Sequence, residues 1–329
     1  MACPACESEA PLSFVEDHYD RIGKKPYRLL SCPDCGVVSS EPREAVGAEW
    51  YAAAAPLRAL EKKPAAESDW RFQQFLSEKV PPGKILDVGC GDGSFMDLAR
   101  IAGFSPSGFD YDERVTAQAR AKGLSDAHTM EFSKFCKSRK PGEFDAATFF
   151  DVLEHTPEPA WFFGEVKRLL KPGAYVAITL PNGLRPLPWG REEHDFPPHH
   201  FTRWTPESMR RFLERQGFEV VRQEAGTLKL RYLSDHFFFY RVMPQLIAGA
   251  KKLLFREAKG ATLSELYDKA GGGQARGLAD KGRRQRLVNA ARFAFQISFT
   301  PAALAMKAYY RSRQKLCGDS LYTLARYRN

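Results

Sequence analysis

The sequence predicts an α/β fold: a doubly wound parallel sheet, preceded by a small cysteine-rich module and interrupted near its end by a basic helical section. Three observations predict it. From Lys84 onward, apolar segments of strand length alternate with segments of helical period. The first of these strands runs into a turn with glycine at 89, 91 and 93. Ahead of it stand two Cys-x-x-Cys turns separated by 25 residues. A chain of 329 residues, 43% apolar and 12% aromatic, has ample material for a packed core, so disorder over most of its length is not expected.

Residues 1–45 read as a miniature module, rich in Cys, Pro and Gly with short strand-like stretches such as Tyr27–Leu30. Cys3-Pro-Ala-Cys6 and Cys32-Pro-Asp-Cys35-Gly36 form two matched knuckles. Four thiolates at about 2.3 Å complete a tetrahedral zinc site with no open position, which makes the expected zinc structural. A redox pair or four free thiols are the competing readings. The other cysteines, Cys90, Cys136 and Cys317, are isolated and read as packing residues. Seven cysteines in a chain whose first residues lack a basic-then-apolar pattern point to a reducing, cytoplasmic setting.

Residues 46–80 read as a helical connector, broken near Pro56 and Pro64. Strands follow at 84–89, 106–110, 126–130, 144–150 and 173–179, with helices at about 93–103, 112–122, 132–138 and 158–170. Thr205-Pro206-Glu207 opens a further helix, with a cap residue followed by proline at the first helical position. That helix leads to a sixth strand at Gly217–Val221. Asp319–Tyr327 alternates polar and apolar at period two and reads as the last strand. The main domain is therefore expected to comprise 81–232 and 318–329, around an insertion at 233–317 in which Gly271–Gly273 mark a break.

Ile85–Phe95 is the most informative stretch. Glycines at 89, 91 and 93 let the backbone approach a ligand closely, although a tight turn without a ligand would read the same way. About twenty residues on, Gly108-Phe-Asp110 places a carboxylate where it can accept from both ribose hydroxyls of an adenosine. The turn lacks the G-x-G-x-x-G spacing of a pyrophosphate site. Its acidic residue, Asp87, suits a cationic amino-acid group better than a phosphate.

Asp87-Val-Gly-Cys-Gly-Asp-Gly93 resembles the first motif of class I S-adenosylmethionine-dependent methyltransferases of the small-molecule type, a Rossmann-like fold with a seven-stranded sheet. Phe144–His155 resembles their fourth strand and the loop after it, and Leu169–Ile178 their following helix, turn and fifth strand. The resemblance covers roughly 70–230 and 318–327. It implies S-adenosylmethionine as cofactor, with Asp87, Gly89, Cys90 and Gly91 lining the methionine end. Asp110 would hold the ribose, Tyr111 flank the adenine, and Phe150 and Asp151 close the pocket. One departure is the absence of the usual acidic residue after the third strand, where His128–Phe132 offers only Glu131 or a backbone group.

Methyl transfer from a sulfonium is a direct displacement, so the protein mainly aligns donor and acceptor, and a general base helps when the acceptor is a hydroxyl. His155, just after the fourth strand, is the candidate base; a helix-capping or core histidine is the plainer reading. Asp195, His199 and His200 lie in the loop after strand five, which overhangs the substrate mouth in such folds. They can bind substrate, share base duty or ligate a metal, against a plainer reading as a rigid Pro-braced loop. The expected acceptor is a small or lipid-linked molecule, with oxygen the favoured atom. A nucleic-acid methyltransferase using the ribbon and basic tail, and a module that binds the cofactor without chemistry, are the competing functions. The absence of Asn-Pro-Pro-Tyr or Asp-Pro-Pro-Tyr after strand four counts against base N-methylation.

The net charge of +9 is uneven: residues 251–329 hold 17 Lys+Arg against 5 Asp+Glu. Lys251, Lys252, Arg283–Arg286 and Arg311–Lys315 flank apolar helical segments, including Phe293–Met306, which is too short and too interrupted by Gln296 and Pro301 to cross a membrane. Basic ends around an apolar face suggest an interfacial helix on an anionic membrane. A helical lid or oligomer surface competes with that reading. Nucleic acid is disfavoured, because aromatic and basic residues are segregated rather than interleaved.

Overall fold

The computed structural model describes residues 2–20, 22–44, 50, 65–186, 195–226, 228, 230–242, 244, 245, 248, 277–313 and 316–328. It divides into two compact units: Met1–Arg185, Glu192–Gly226 and Leu316–Asn329 form the first, Pro186–Arg191 and Thr227–Lys315 the second. Residues 46–49 and 51–64 of the expected connector, Lys251, Lys252 and the break at Gly271–Gly273 lie outside the described residues.

The first unit opens with three antiparallel strands, β1 (Ser13–Asp20), β2 (Lys25–Ser31) and β3 (Val38–Glu41). A short helix α1 (Trp70–Leu76) follows, capped by Asp69, whose carboxylate accepts from the Arg71 N–H at 3.1 Å. The large sheet then begins. In chain order come β4 (Lys84–Val88), α2 (Ser94–Ile101), β5 (Ser105–Asp110), α3 (Glu113–Ala121), β6 (Ala127–Thr129) and α4 (Phe132–Ser138). β7 (Phe144–Phe150), α5 (Pro159–Leu169), β8 (Leu170–Pro181), the two-residue β9 (Thr202–Arg203), α6 (Pro206–Arg215), β10 (Phe218–Ala225) and β11 (Ser320–Tyr327) complete it.

Seven strands lie in the order β10-β11-β8-β7-β4-β5-β6. β4 to β8 are parallel, whereas β11 runs antiparallel to both β8 and β10. The sheet is thus mixed at one edge rather than parallel throughout. β4 lies inside the sheet between β7 and β5, and its Ile85, Leu86 and Val88 are essentially inaccessible to solvent, as a strand covered on both faces must be. Phe163 of α5 meets Phe212 of α6 and Phe218 of β10 edge-on, with ring centroids 5.2 and 5.3 Å apart. Burying each such ring contributes roughly 1.5–3 kcal/mol. α6 starts where the sequence places it: Thr205 and Ser208 form a reciprocal capping box, and Pro206 occupies the first turn.

The strand order positions the site. The chain lays down β4, β5 and β6 toward one edge, then returns to place β7 and β8 on the other side of β4. The order therefore reverses between β4 and β7, and open α/β sheets bind ligands outside the carboxyl ends of such a pair.

The N-terminal module is less separate than its composition suggests. Its sheet takes a fourth strand, β9, from the loop after β8, with Val38 opposite Arg203 and Ser39 opposite Thr202. Cys3, Ala5, Cys32, Cys35 and Val37 belong to the same buried cluster as Met209, Phe212 and Leu213 of α6.

The second unit contains α7 (Leu230–Phe237), a π-helical turn at Phe238–Val242 and the long helix α8 (Gly277–Arg313). Phe237 stacks against Phe295 and Phe299, and Arg292 pairs with Asp235, which also accepts from Gln296 at 2.6 Å. Among the described residues, no helix is long and apolar enough to cross a membrane.

Candidate functional site

The end of β4 and the turn after it stand at the carboxyl edge of the sheet, where the strand order reverses. Asp87 is buried, and its Oδ1 accepts from the Thr148 hydroxyl on β7 at 2.8 Å. Burial pushes its carboxyl up to about 7; the Thr148 hydrogen bond opposes this, and the nearby Asp110 charge adds to it. Asp87 is therefore poised to ionise when a cation arrives. Gly91 has φ +52°, and a Cβ there would meet nothing within 4 Å, so the turn borders open space. The Gly91 N–H donates to Asp110 Oδ2 at 3.2 Å, and Asp110 Oδ1 accepts from the Asp112 N–H at 3.0 Å. Cys90 is buried beneath the turn, its N–H bonded to the Phe109 carbonyl at 3.0 Å. Gly89 lies over Val152, and Tyr111 is exposed beyond Asp110.

The end of β7, the neighbouring parallel strand, lies beside it. Phe150 packs edge-on against Phe95 and Phe72, with centroids 4.8 and 5.2 Å apart, so it tethers α1 and α2 to the strand end. Asp151 adopts φ +57° and accepts from Thr179 Oγ1 at 2.9 Å. Arg71 also pairs with Asp151 and is braced by Asp69 at 2.5 Å. Glu131, offered by the sequence for the adenine amino group, is exposed at the start of α4, while the Met130 N–H bonds the Asp110 carbonyl at 3.1 Å.

Just past β7, a 3-10 turn at Leu153–His155 brings His155 to the loop after β8. His155 Nδ1 lies 2.7 Å from the His199 carbonyl, an acceptor only, so Nδ1 carries a hydrogen. The His155 ring centroid lies 4.7 Å from those of both His199 and His200, which stack on each other at 4.5 Å. Asp195 pairs with Arg185 and stands 3.5 Å from His200 Nδ1. The four acceptor-side candidates therefore converge, whereas the sequence only places them in two separate loops.

Two residues that sequence reasoning missed also stand here. One is Arg71. The other is Glu154, 1% exposed, whose carboxylate oxygens have no hydrogen-bond partner among the described residues. Burial, with the Asp151 charge adding, drives its carboxyl well above the usual carboxylate range.

In the N-terminal module, Cys3 Sγ lies 3.7 Å from Cys35 Sγ and Cys6 Sγ 3.6 Å from Cys32 Sγ, with all four sulfurs within 4.8 Å of one another. A tetrahedron with metal–sulfur bonds of about 2.3 Å has edges of about 3.8 Å, so the set fits zinc without rearrangement of the backbone.

A methyltransferase-domain family matches residues 60–223. The ubiquinone biosynthesis O-methyltransferase of Methylococcus capsulatus is 32% identical over 175 residues, which are 46% of this chain and 72% of that protein. The enzyme of the same name from Thiobacillus denitrificans is 35% identical over 103 residues, 30% of this chain and 44% of the relative. The chain thus spans less than half the length of the first curated relatives it matches. A chain from the complex between the Haloferax volcanii Trm112 methyltransferase activator and a methyltransferase shares the fold. Its TM-score is 0.50 at 15% identity, covering 87% of this chain and 100% of that one.

Proposed function

Since the chain belongs to the family of S-adenosylmethionine-dependent methyltransferases, we propose that it transfers the sulfonium methyl group to an oxygen of a small or lipid-linked acceptor. The observation that carries this reading is the joint placement of Asp87, the open Gly91 turn and Asp110 at the β4/β7 switch point. The name of the relatives supports oxygen as the accepting atom.

When bound, S-adenosylmethionine supplies an electrophilic methyl carbon and a neutral thioether leaving group. Asp110 serves the ribose hydroxyls, and the Gly89–Gly91 backbone lets the methionine end lie close to β4. Asp87 and Arg71 offer one anion and one cation to an amino-acid zwitterion, Asp87 to the ammonium and Arg71 to the carboxylate. Phe150 and Asp151 bound this end, and Tyr111 flanks the base. On the acceptor side, His155 presents Nε2 toward a proton, while its Nδ1–H is held by the His199 carbonyl. Asp195, His199 and His200 line the acceptor's entry. The reading is tested by calorimetry with S-adenosylhomocysteine followed by turnover over pools of hydroxylated acceptors. Binding without any turnover would leave a cofactor-holding module.

Cys3, Cys6, Cys32 and Cys35 hold a structural zinc in this reading, supported by sulfur spacings that match a tetrahedral site. One zinc per chain in freshly purified protein is the expected analysis.

The second unit is the membrane-facing element of this proposal. Phe293, Ile297 and Leu304 are 64, 61 and 51% exposed and recur at helical spacing along α8, whose last turn carries Arg311 and Arg313. An exposed apolar face with a cationic end matches an anionic bilayer surface, consistent with a lipid-linked acceptor.

A further inference from the structure

We propose that His155, His199 and His200 form a binding site for a divalent transition-metal ion, with an oxygen of the acceptor or a water completing its coordination. The inference deepens the methyltransferase reading and rests on it for the identity of the acceptor; in the metal-bound enzyme His155 is a ligand rather than the proton acceptor.

The geometry points to it in three ways. Each ring offers a nitrogen, and the three lie within 4.8 Å of one another. An ion about 2.1 Å from each would draw tetrahedral donors to about 3.4 Å apart, a closure within reach of side-chain rotation. Metal-binding histidines are typically oriented by an acceptor on the opposite ring nitrogen. The His199 carbonyl fills that role for His155 at 2.7 Å. The cluster is also braced. Arg185 pairs with Asp195, Trp50 stacks on His199 at 6.1 Å, and the Phe201 N–H donates to the Glu154 carbonyl at 2.8 Å. Three imidazoles suit zinc, nickel, copper or iron(II) rather than magnesium or calcium, which prefer oxygen. Such a set leaves at least one position to an exogenous ligand, unlike the four-cysteine cluster in the N-terminal module.

In the methyl-transfer step, an acceptor oxygen that reaches the ion gives up its proton to bulk water. Its lone pair then forms the O–C bond as the C–S bond breaks, and the electron pair of that bond remains on sulfur as the neutral thioether. The charge balance needs no oxidant or reductant.

The test uses the full-length protein, its ribbon first saturated with zinc and the zinc counted. Titration with Ni2+ by calorimetry should then show one further ion per chain. His200→Ala and His199→Gln should each weaken that binding at least tenfold while leaving the zinc count unchanged. S-adenosylhomocysteine binding is measured on the same samples. Nickel binding that is absent, or equal in wild type and both variants, overturns the metal site even if the homologue still binds. Loss of homologue binding by the wild type instead removes the methyltransferase reading, and with it the assignment of the acceptor.

Discussion

The N–H of Gly91 and the carboxylate of Asp110, 19 residues apart in sequence, are 3.2 Å apart in space. The glycine-rich turn and the end of β5 are thereby held together, with the carboxylate turned toward the turn. Asp110→Ala should weaken S-adenosylhomocysteine binding by about 1.5–3 kcal/mol, the magnitude of lost charge-assisted hydrogen bonds. Equal affinities by calorimetry would reject the ribose assignment.

Asp87 makes cofactor binding depend on pH. Its folded-state pKa of about 7 stands above the unfolded value of about 3.9, so between those values the native state holds a proton that the unfolded state lacks. Stability from this group therefore falls as pH rises from about 4 to 7 and levels off above. Ligand affinity moves the other way, because a cationic amino group needs the ionised carboxylate. Affinity for S-adenosylhomocysteine should rise up to tenfold per pH unit below 7 and flatten above it. Asp87→Asn should bind weakly with that slope removed; an unchanged slope would place the titration elsewhere.

The cysteine cluster shares its apolar surroundings with α6, and β3 pairs with β9, so the module cannot loosen alone. Cys32→Ser should raise hydrogen exchange not only in residues 2–44 but also at Thr202 and Arg203. Exchange confined to the first 45 residues would show that the β3–β9 pairing survives without the ribbon.

His155→Ala should lower turnover by about 100-fold or more and leave cofactor affinity nearly unchanged. A rate close to that of the wild type would reduce His155 to a post for the His199 carbonyl and move attention to His199 and His200.

The exposed face of α8 predicts sedimentation with anionic but much less with neutral liposomes. Each basic residue near the surface contributes about 1 kcal/mol, fading as salt shortens the Debye length. Arg283→Glu, Arg284→Glu and Arg286→Glu together should release the protein without harming cofactor binding. No sedimentation at low salt would leave α8 as a lid or an oligomer surface.

Much of the first unit is legible in the sequence, because buried strands and amphipathic helices each carry their own period, and Thr205-Pro206 carries its own cap. The strand-end positions of Asp87 and Asp110 follow from the same pattern. β9 is illegible for the opposite reason: two residues have no period, and their pairing with Val38 and Ser39 is set by tertiary contact. Arg71 looks like any exposed helical arginine until the chain folds, since Asp151 lies 80 residues away. Glu154 breaks the expectation that carboxylates stay wet, and no local signal announces its burial. The convergence of His155 with His199 and His200 depends on the β7 and β8 loops meeting across the sheet's end, a property of topology rather than of either segment.

At the base of the long excursion between β10 and β11, Gly226 and Gly318 touch so closely that a Cβ on Gly318 would fall on the Gly226 carbonyl. The Gly226 N–H donates to the Ser320 carbonyl at 2.7 Å, and Asn182 Nδ2 donates to the Leu316 and Gly318 carbonyls at 2.9 and 3.0 Å. The sheet therefore sees only a hairpin whose two ends already meet. Because the entropy of closing a loop grows only logarithmically with its length, what lies beyond that junction can lengthen, shrink or be exchanged at little cost to the strands. If α8 meets a bilayer as proposed, exchanging that single cassette would change where the methyltransferase scaffold sits without rebuilding its sheet.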